Sequence, residues 1–307
     1  MDQAATPLSL LYPFKHQFYR RLGWGLVGTT RLYRPAPEAL PLYPERLRVR
    51  PVLTAEQREA VMACYRRRAA AANGMLERGD AVWFERVFKN AICYAFTAAD
   101  ERVEGYLTYA YQPRPADEAF VSTDLQVFDF VFETAEAMRG LLGFLAAQQG
   151  QVRIVKLPLQ DAPPLEYALS EPRMADGIHN WQMGAESSWT GAGLMGRVVN
   201  VRRALAAGGF GPGAARVALK ISDPLIPANE ETVTVAFQNG RAEFIRDAAG
   251  AAEFVTDIAT FSSIYWGALR LDEAARMGLC TVNGDAAATA ALTAIFAVSK
   301  PVCLDWF

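Results

Sequence analysis

A predicted helix between two apolar segments places the strongest constraint on the fold of this 307-residue chain. Four apolar residues between Met138 and Leu145 recur at the i, i+3, i+4, i+7 spacing of one helical face. Aromatic and β-branched residues dominate the segment Val127 to Phe132 before this helix and the segment Val152 to Leu157 after it. Strand, helix, strand in this order predicts an α/β architecture.

The residues before this helix extend the same α/β order. Thr54 and Gln57 have the spacing of a capping box, which predicts the start of a helix. A second helical stretch over residues 82–88 leads to a predicted pair of strands over residues 92–96 and 105–111. The predicted order is therefore helix, helix, hairpin, strand, helix, strand.

Shifts in pattern divide the chain into three blocks. Residues 1–42 have the order strand, helix, strand, and a proline-rich segment that begins near the end of this block is interpreted as a linker. Residues 43–188 hold the α/β order, and residues 189–307 form a third block. We therefore predict three domains or parts of domains with these boundaries.

The third block is expected to combine strands and helices. Asn239 and Gly240 are a strong hairpin signal, because both residues tolerate positive φ. From Thr256 onward the pattern predicts largely helical structure, and Asp285 is a predicted N-cap of the last helix.

The charge of the chain argues against a nucleic-acid partner. The formal net charge is −2 and the isoelectric point is near 5.9, so no basic surface for a polyanion is expected. The one dense basic run, Arg66 to Arg68, lies within a helical pattern. We interpret it as a solvated helix face rather than a phosphate-binding patch.

Cysteine spacing and the apolar segments predict a cytoplasmic protein without a metal site or a membrane span. The cysteines lie far apart, with no CxxC spacing, and are Cys64, Cys93, Cys280 and Cys303. Basic residues follow the apolar segment 7–14 instead of preceding it, which is unlike a signal peptide. The longest mainly apolar run, residues 286–298, is shorter than the roughly 18 residues that a membrane span needs.

Three motifs in this order and spacing resemble the enhanced intracellular survival (Eis) family of bacterial acetyltransferases. They are FYRRLGWG at Phe18 to Gly25, GRVVNVRRAL at Gly196 to Leu205, and the aromatic C-terminus Trp306-Phe307. Members join a catalytic GNAT domain, a degenerate second GNAT domain and a sterol-carrier-protein-like domain. The resemblance implies an α/β (α+β) fold in which the three blocks are the C-terminal part of the first domain, the second domain and the third.

The resemblance implies a function as well as a fold. The family transfers the acetyl group of acetyl-CoA to amines, so the expected acceptor is an aminoglycoside-type small molecule or a lysine. Family members assemble into rings, and a homo-oligomer is therefore expected here.

The family's active site uses a tyrosine as acid and the carboxylate of the final residue as base, and the matching positions are Tyr19 and Phe307. An attacking amine must lose a proton, and a departing thiolate, whose thiol has a pKa of about 8.5, can take one from a phenol with a pKa of about 10 if the two are held together. A terminal carboxylate, with a pKa of about 3.5, is a weak base. It would act through a bound water or by attracting the ammonium group, and it requires an unextended C-terminus.

One family motif has no match in this sequence. GNAT proteins hold acetyl-CoA at a Q/R-x-x-G-x-G/A turn, where backbone N–H groups meet the pyrophosphate. The corresponding place in the second block reads FETAEAMRG over residues 132–140, with an acidic residue and no glycine pair. We therefore expect that this domain does not bind acetyl-CoA, and the cofactor-binding residues stay unassigned.

The matching residues of the first domain would precede Met1. The resemblance therefore implies either a start that is internal to a longer protein or a truncated relative that has lost catalysis. In such a partial domain the strand Leu8 to Phe14 would be an edge without its neighbours, and residues 1–42 would be less stable than the rest.

Structural interpretations of the same residues stay open. Tyr19 could be a packing residue beside Phe18 and Leu22, and Phe307 could simply anchor the chain end. The alternative function is a non-catalytic module, built on the sterol-carrier-like domain, that binds an apolar ligand or mediates oligomerisation. The apolar residues that could line such a ligand site, or fill a core instead, are Phe237, Phe244, Phe254, Ile258 and Phe261.

Overall fold

The computed structural model describes residues 6–113, 123–160, 163–178, 180–181 and 184–305. The chain forms two compact units. The first unit combines residues up to Thr29 with Ala192–Pro301, and the second combines Thr30–Gly191 with Val302–Asp305.

Strands and helices alternate along much of the described chain. The strands are β1 (Leu8–Leu11), β2 (Gly25–Leu26), β3 (Thr29–Tyr33), β4 (Val49–Pro51), β5 (Ile92–Thr97), β6 (Val103–Pro113), β7 (Thr123–Phe132), β8 (Ile154–Leu159), β9 (Asn180–Trp181), β10 (Gly184–Ala185), β11 (Trp189–Ala192), β12 (Met195–Val198), β13 (Ala215–Ser222), β14 (Val233–Gln238), β15 (Arg241–Phe244), β16 (Ala252–Asp257) and β17 (Cys280–Asn283). The α-helices are α1 (His16–Arg21), α2 (Ala55–Ala70), α3 (Asp80–Val82), α4 (Ala135–Ala146), α5 (Val201–Ala207), α6 (Ile258–Tyr265), α7 (Leu271–Arg276) and α8 (Ala286–Ile295).

The second unit is built on a seven-stranded sheet with the order β11-β3-β8-β7-β6-β5-β4. The antiparallel strands β5, β6 and β7 follow one another, and α4 then crosses over to β8, which runs parallel to β7. The apolar face predicted for α4 packs against the sheet through Leu141, Leu142 and Leu145, which are buried. The predicted α/β architecture is confirmed for this unit.

Local capping signals in the second unit are also confirmed. Thr54 Oγ1 accepts a hydrogen bond from the Gln57 backbone N–H, and the Gln57 side chain accepts one from the Thr54 backbone. This capping box starts α2 at Ala55. The predicted helical stretch over residues 82–88 is not one regular α-helix. The short helix α3 passes directly into a π-helical turn, Trp83–Val87.

The first unit contains a three-stranded sheet, β1-β12-β2, in which the N-terminal strand has a neighbour. Leu8 pairs with Val198 and Leu11 with Met195 in antiparallel register. The strand lies at an edge of this sheet, as expected, but the expectation that it lacks a neighbour is wrong, because β12 pairs with it. The strand ends at Leu11. Its partner comes from the GRVVNV motif, which is too distant in sequence for a local pattern to indicate the pairing.

A five-stranded sheet, β15-β14-β13-β16-β17, completes the first unit. Asn239 and Gly240 form the predicted β14–β15 hairpin turn with φ values of 53° and 72°. Asp285 caps α8 as predicted, because its side chain accepts the backbone N–H of Ala288. The expectation of a largely helical segment after Thr256 is only partly correct, since Thr256 lies in β16 and β17 separates α7 from α8.

Aromatic side chains fill the core of the first unit. The ring of Phe296 lies 5.7 Å from that of Phe237, 6.3 Å from that of Phe254 and 6.2 Å from that of Phe261, measured between ring centroids. Phe244 lies on the edge strand β15 and is 37% exposed. Three of the residues considered for an apolar ligand, Phe237, Phe254 and Phe261, are thus buried around Phe296, and this arrangement favours the interpretation as a filled core.

No described helix is long and apolar enough to cross a membrane. All four cysteines are buried and unbridged. Among the residues that the structure describes, no cluster of histidine, cysteine or carboxylate groups could hold a metal ion.

Truncation of the central ring should destabilise the first unit strongly. We expect Phe296→Ala to lower the free energy of unfolding by about 3–5 kcal/mol, because the cavity that it leaves is lined by rigid rings. Phe244→Ala, on the exposed edge, should cost about 1 kcal/mol or less. Urea unfolding followed by near-ultraviolet circular dichroism checks both values, and equal losses would contradict the packing described here.

Candidate active site

Tyr19 lies on the short helix α1, which has no fully buried residue of its own. Its half-buried ring makes edge-to-face contacts with Phe14 at 5.4 Å, Phe18 at 5.2 Å and Trp24 at 6.1 Å between centroids. A helix of six residues is too short to be stable alone, so its position must be held by other parts of the unit.

The turn after α1 packs directly against the side chain of Arg197. Gly23 adopts a φ of +87°, a conformation that favours glycine. A side-chain carbon at this position would lie 1.5 Å from Nη1 of Arg197 and 2.8 Å from the side chain of Ile258. Glycine at position 23 is therefore required by both the backbone angle and the space.

Arg197 on β12 links the end of α1 to the core of the first unit. Its Nη1 donates a hydrogen bond to the backbone carbonyl of Leu22, and its guanidinium lies over the Trp24 ring at 5.2 Å. Its Nη2 lies 2.8 Å from both carboxylate oxygens of Asp223. Arg197 is 2% exposed and Asp223 is 0% exposed, so the ion pair is fully buried.

The remaining acceptors of Asp223 are also satisfied. The side chain of Asn229 donates to Asp223 Oδ2 at 2.8 Å and to the backbone carbonyl of Val199 at 3.0 Å. The backbone N–H groups of Leu225 and Ile226 donate to Asp223 Oδ1. A buried ion pair is tolerated when such further hydrogen bonds complete it, and the result here is a rigid support for the helix that carries Tyr19.

Sequence reasoning found Tyr19 but missed the residues that support it. The available signal was Arg197 itself, a single charged residue inside the apolar run Met195 to Val199. Its partner Asp223 gave no local signal. Phe307, the second predicted catalytic residue, lies outside the described residues.

The N-terminus of α4 is the place at which the second unit could bind a diphosphate. Thr134 Oγ1 already accepts the backbone N–H of Ala137 at 3.1 Å and donates to Glu104 at 3.0 Å. Glu133 lies beside it, paired with Arg67 at 2.7 Å. The Arg102 guanidinium holds the pKa of Glu104 below its usual value, so this carboxylate is ionised at neutral pH.

The Thr134 cap occupies one backbone N–H of this helix end, and two carboxylates, each paired with an arginine, lie beside it. This arrangement differs from a glycine-rich turn with free backbone N–H groups.

Comparison with protein families identifies two kinds of domain. A model of the acetyltransferase (GNAT) domain matches residues 74–198, and a model of the sterol carrier protein domain matches residues 201–304. The chain therefore contains a GNAT acetyltransferase domain and a sterol-carrier-type domain. The first of these matches supports an N-acetyltransferase.

Solved structures share this fold over the whole chain. A GCN5-related N-acetyltransferase from Anabaena variabilis has a TM-score of 0.79 at 22% identity, and Eis1 from Mycobacterium abscessus has a TM-score of 0.78 at 23% identity. A probable N-acyltransferase from Enterococcus faecalis has a TM-score of 0.78 at 19% identity. Each alignment covers 100% of this chain and 74% of the other, so the fold is Eis-like. No curated protein matches the sequence.

Removing one member of the buried ion pair should destabilise the first unit. We expect Arg197→Met to lower the free energy of unfolding by about 3–5 kcal/mol, because Asp223 is left as an uncompensated buried charge. The double variant with Asp223→Asn should lose less than the sum of the two single variants. Urea unfolding of all four proteins checks this.

The control is Arg202→Met in the same motif. Arg202 forms an exposed ion pair with Glu231 at 3.2 Å, and its loss should cost about 1 kcal/mol or less. An equally small loss for Arg197→Met would contradict the supporting role described here.

Proposed function

We propose that this protein is an N-acetyltransferase of the Eis type that acts on the amine of a small molecule or of a lysine, with Tyr19 as the acid. The observation that carries the proposal is the support of α1 by the buried Arg197–Asp223 pair. The desolvated pair holds a surface helix that has no buried residues of its own. Catalysis requires reacting groups in a defined orientation, and this support would provide one for Tyr19.

Tyr19 would hold a proton at its hydroxyl for the thiolate that leaves when an amine attacks an acetyl thioester. A phenol has a pKa of about 10 and a thiol one of about 8.5, so this proton transfer is uphill by about 2 kcal/mol in water and requires the hydroxyl to be held close to the departing sulfur. The aromatic contacts with Phe14, Phe18 and Trp24 leave the ring few orientations. They therefore favour a fixed direction for the hydroxyl.

The carboxylate of Phe307 is proposed as the partner of Tyr19. With a pKa of about 3.5 it is ionised at neutral pH, and it would attract the ammonium form of the acceptor or accept its proton through a water molecule. The acetyl donor is proposed to be acetyl-CoA, which GNAT domains generally use. The capped start of α4 supports the view that the second unit does not hold it.

We also propose that residues 1–42, 43–188 and 189–307 are three domains or parts of domains. The sterol carrier match at residues 201–304 lies inside the third of these segments. A homo-oligomer is proposed on the resemblance alone, and a cytoplasmic location is proposed on the buried, unbridged cysteines.

The function is tested by adding acetyl-CoA and a panel of amines to the purified chain. Isothermal titration measures donor binding, and a thiol reagent measures the release of free CoA. Micromolar binding with amine-dependent thiol release is the expected result. A chain that neither binds acetyl-CoA nor releases thiol is not an acetyltransferase by itself.

Loss of the Tyr19 hydroxyl should impair catalysis but not folding. We expect Tyr19→Phe to lower kcat by about 10²–10⁴-fold, because the acid is lost while the ring keeps its contacts. Its thermal midpoint should match that of the parent. Tyr167→Phe is the control, since Tyr167 is 89% exposed, and it should be fully active. Equal activity of both variants would rule out Tyr19 as the acid.

Extension of the C-terminus should abolish the role of Phe307. A few added residues move the carboxylate away from its proposed place, so we expect kcat to fall at least about tenfold. The same residues added before Met1 should leave kcat unchanged. An extended protein with full activity would show that the terminal carboxylate is not the base.

A further inference from the structure

A second buried arginine lies within the second unit. The side chain of Arg78 is 2% exposed. Its Nη1 donates a hydrogen bond to Asp129 on β7 at 2.5 Å, and its Nη2 donates to the other oxygen of Asp129 at 3.1 Å. Its Nε donates to Asp305 at 2.7 Å. One buried guanidinium therefore binds two carboxylates, one on the sheet and one far along the chain.

Asp129 can hold Arg78 without any contribution from Asp305. It accepts hydrogen bonds from two of the three guanidinium nitrogens, and the Tyr106 hydroxyl donates to it at 2.9 Å. Asp129 and Tyr106 are both buried, so water does not compete for these contacts. Because the guanidinium is a rigid plane, its Nε–H points in a fixed direction. A carboxylate site is thus formed in advance of the group that fills it.

A tyrosine completes the contacts of the Asp305 carboxylate. The hydroxyl of Tyr65 lies 3.0 Å from the second oxygen of Asp305 and 2.8 Å from the backbone carbonyl of Leu76, so two acceptors share its proton. Burial raises the pKa of Tyr65, which keeps that proton in place at neutral pH. The guanidinium of Arg78 also lies 4.1 Å from the centroid of the Tyr65 ring. Arg78 and Tyr65 together therefore form a site for one carboxylate.

Two further residues bind the backbone of the segment Val302–Asp305, which we call the acidic segment. Gln160 pairs with Cys303, because its Oε1 accepts the N–H at 3.0 Å and its Nε2 donates to the carbonyl at 2.9 Å. The N–H of Val302 donates to the backbone carbonyl of Asn73 at 2.8 Å. Two bonds to one residue are the pattern by which an antiparallel strand binds its neighbour. They hold the backbone in an extended form and do not depend on the side chain of the bound residue.

The acidic segment lies where two parallel strands separate. β7 pairs with β8 over residues 124–126 and then continues to Phe132 without a described pairing to β8. The opening between them is lined by residues 130–132 and 158–160 together with Val302 and Leu304. Openings at the carboxyl ends of parallel strands are common ligand sites in α/β proteins. The cavity that remains here has a volume of about 40 Å³, far below the roughly 300–1,000 Å³ of a small-molecule site, so the acidic segment itself fills the opening.

We propose that this opening is a peptide-binding site, which takes an extended segment with an apolar residue followed by an aspartate. The acidic segment occupies the site within the same chain. Its Leu304 packs against the apolar cluster around Tyr65 and Trp83. Gln160 binds the peptide backbone, and Arg78 binds the aspartate. Backbone pairing together with a charged contact is a common basis of peptide recognition, and the site does not depend on acetyl transfer.

A variant with a weakened acidic segment tests whether the site binds a separate peptide. The double variant Leu304→Ser/Asp305→Asn removes the apolar contact and the charge that Arg78 binds, while Arg78 keeps its pair with Asp129. The probe is a fluorescent peptide with the sequence of residues 300–305, KPVCLD, blocked at both ends and kept reduced. Fluorescence anisotropy measures its affinity for the double variant and for the parent.

We expect the double variant to bind the peptide at least about tenfold more tightly than the parent does. In the parent the attached segment competes with the peptide at an effective concentration in the millimolar range. The peptide with Asp305→Asn should bind the double variant at least about tenfold more weakly than KPVCLD, because a charge-assisted hydrogen bond is lost.

Binding of the peptide backbone is tested separately. Gln160→Ala, added to the double variant, should weaken binding about fivefold or more, because two hydrogen bonds to the peptide are lost. Gln151→Ala is the matched control, since Gln151 is an exposed glutamine before β8, whereas Gln160 follows the end of this strand. The control should leave the affinity unchanged.

Two outcomes would overturn the proposal. One is a folded double variant that does not bind KPVCLD, and the other is equal affinity for the peptides with and without the aspartate. Near-ultraviolet circular dichroism shows whether the double variant is folded. If it is not, the single variant Asp305→Asn, which keeps Leu304 in its apolar contacts, gives the same comparison of the two peptides. Acetyl transfer enters none of these readouts, so failure of the proposed function leaves them unchanged.

Discussion

The buried ion pair between Arg197 and Asp223 is the interaction on which the candidate site depends. Arg197 comes from a strand that pairs with both N-terminal strands, and its guanidinium reaches the last turn of α1. Desolvation of two charges is costly, and their mutual attraction offsets it when hydrogen bonds from Asn229 and from backbone N–H groups satisfy the remaining acceptors. The helix that carries Tyr19 thus takes its position from the core of the unit rather than from its own packing.

The second unit also contains a buried arginine–carboxylate pair, and it holds residues near the C-terminal end of the described chain. Arg78 and Arg197 each bind a buried carboxylate, and each uses another nitrogen to hold a segment that lacks stable structure of its own. The planar guanidinium suits this task because its donors point in several fixed directions and it stays charged when buried. The two held segments are α1, which carries the proposed acid Tyr19, and residues 302–305.

Local patterns predicted those elements whose stability is decided by neighbouring residues. The α4 face, the capping box at Thr54, the cap at Asp285 and the turn at Asn239 were all confirmed, because each depends on contacts within a few residues. The strands β16 and β17 were missed. Each is stabilised chiefly by partners far along the chain, since β16 pairs in parallel with β13 and β17 pairs with β16.

By itself, the sequence determined the α/β class, the main helices, the turn signals and the family resemblance that singled out Tyr19 and Phe307. These follow from periodicity, capping and short motifs, which are properties of adjacent residues. Only the tertiary structure decided that β1 pairs with β12, that Arg197 meets Asp223, and that Arg78 joins Asp129 to Asp305. The physical reason is that a buried charge is stable only when folding brings its partner to it, and no local pattern encodes which distant residue that partner is.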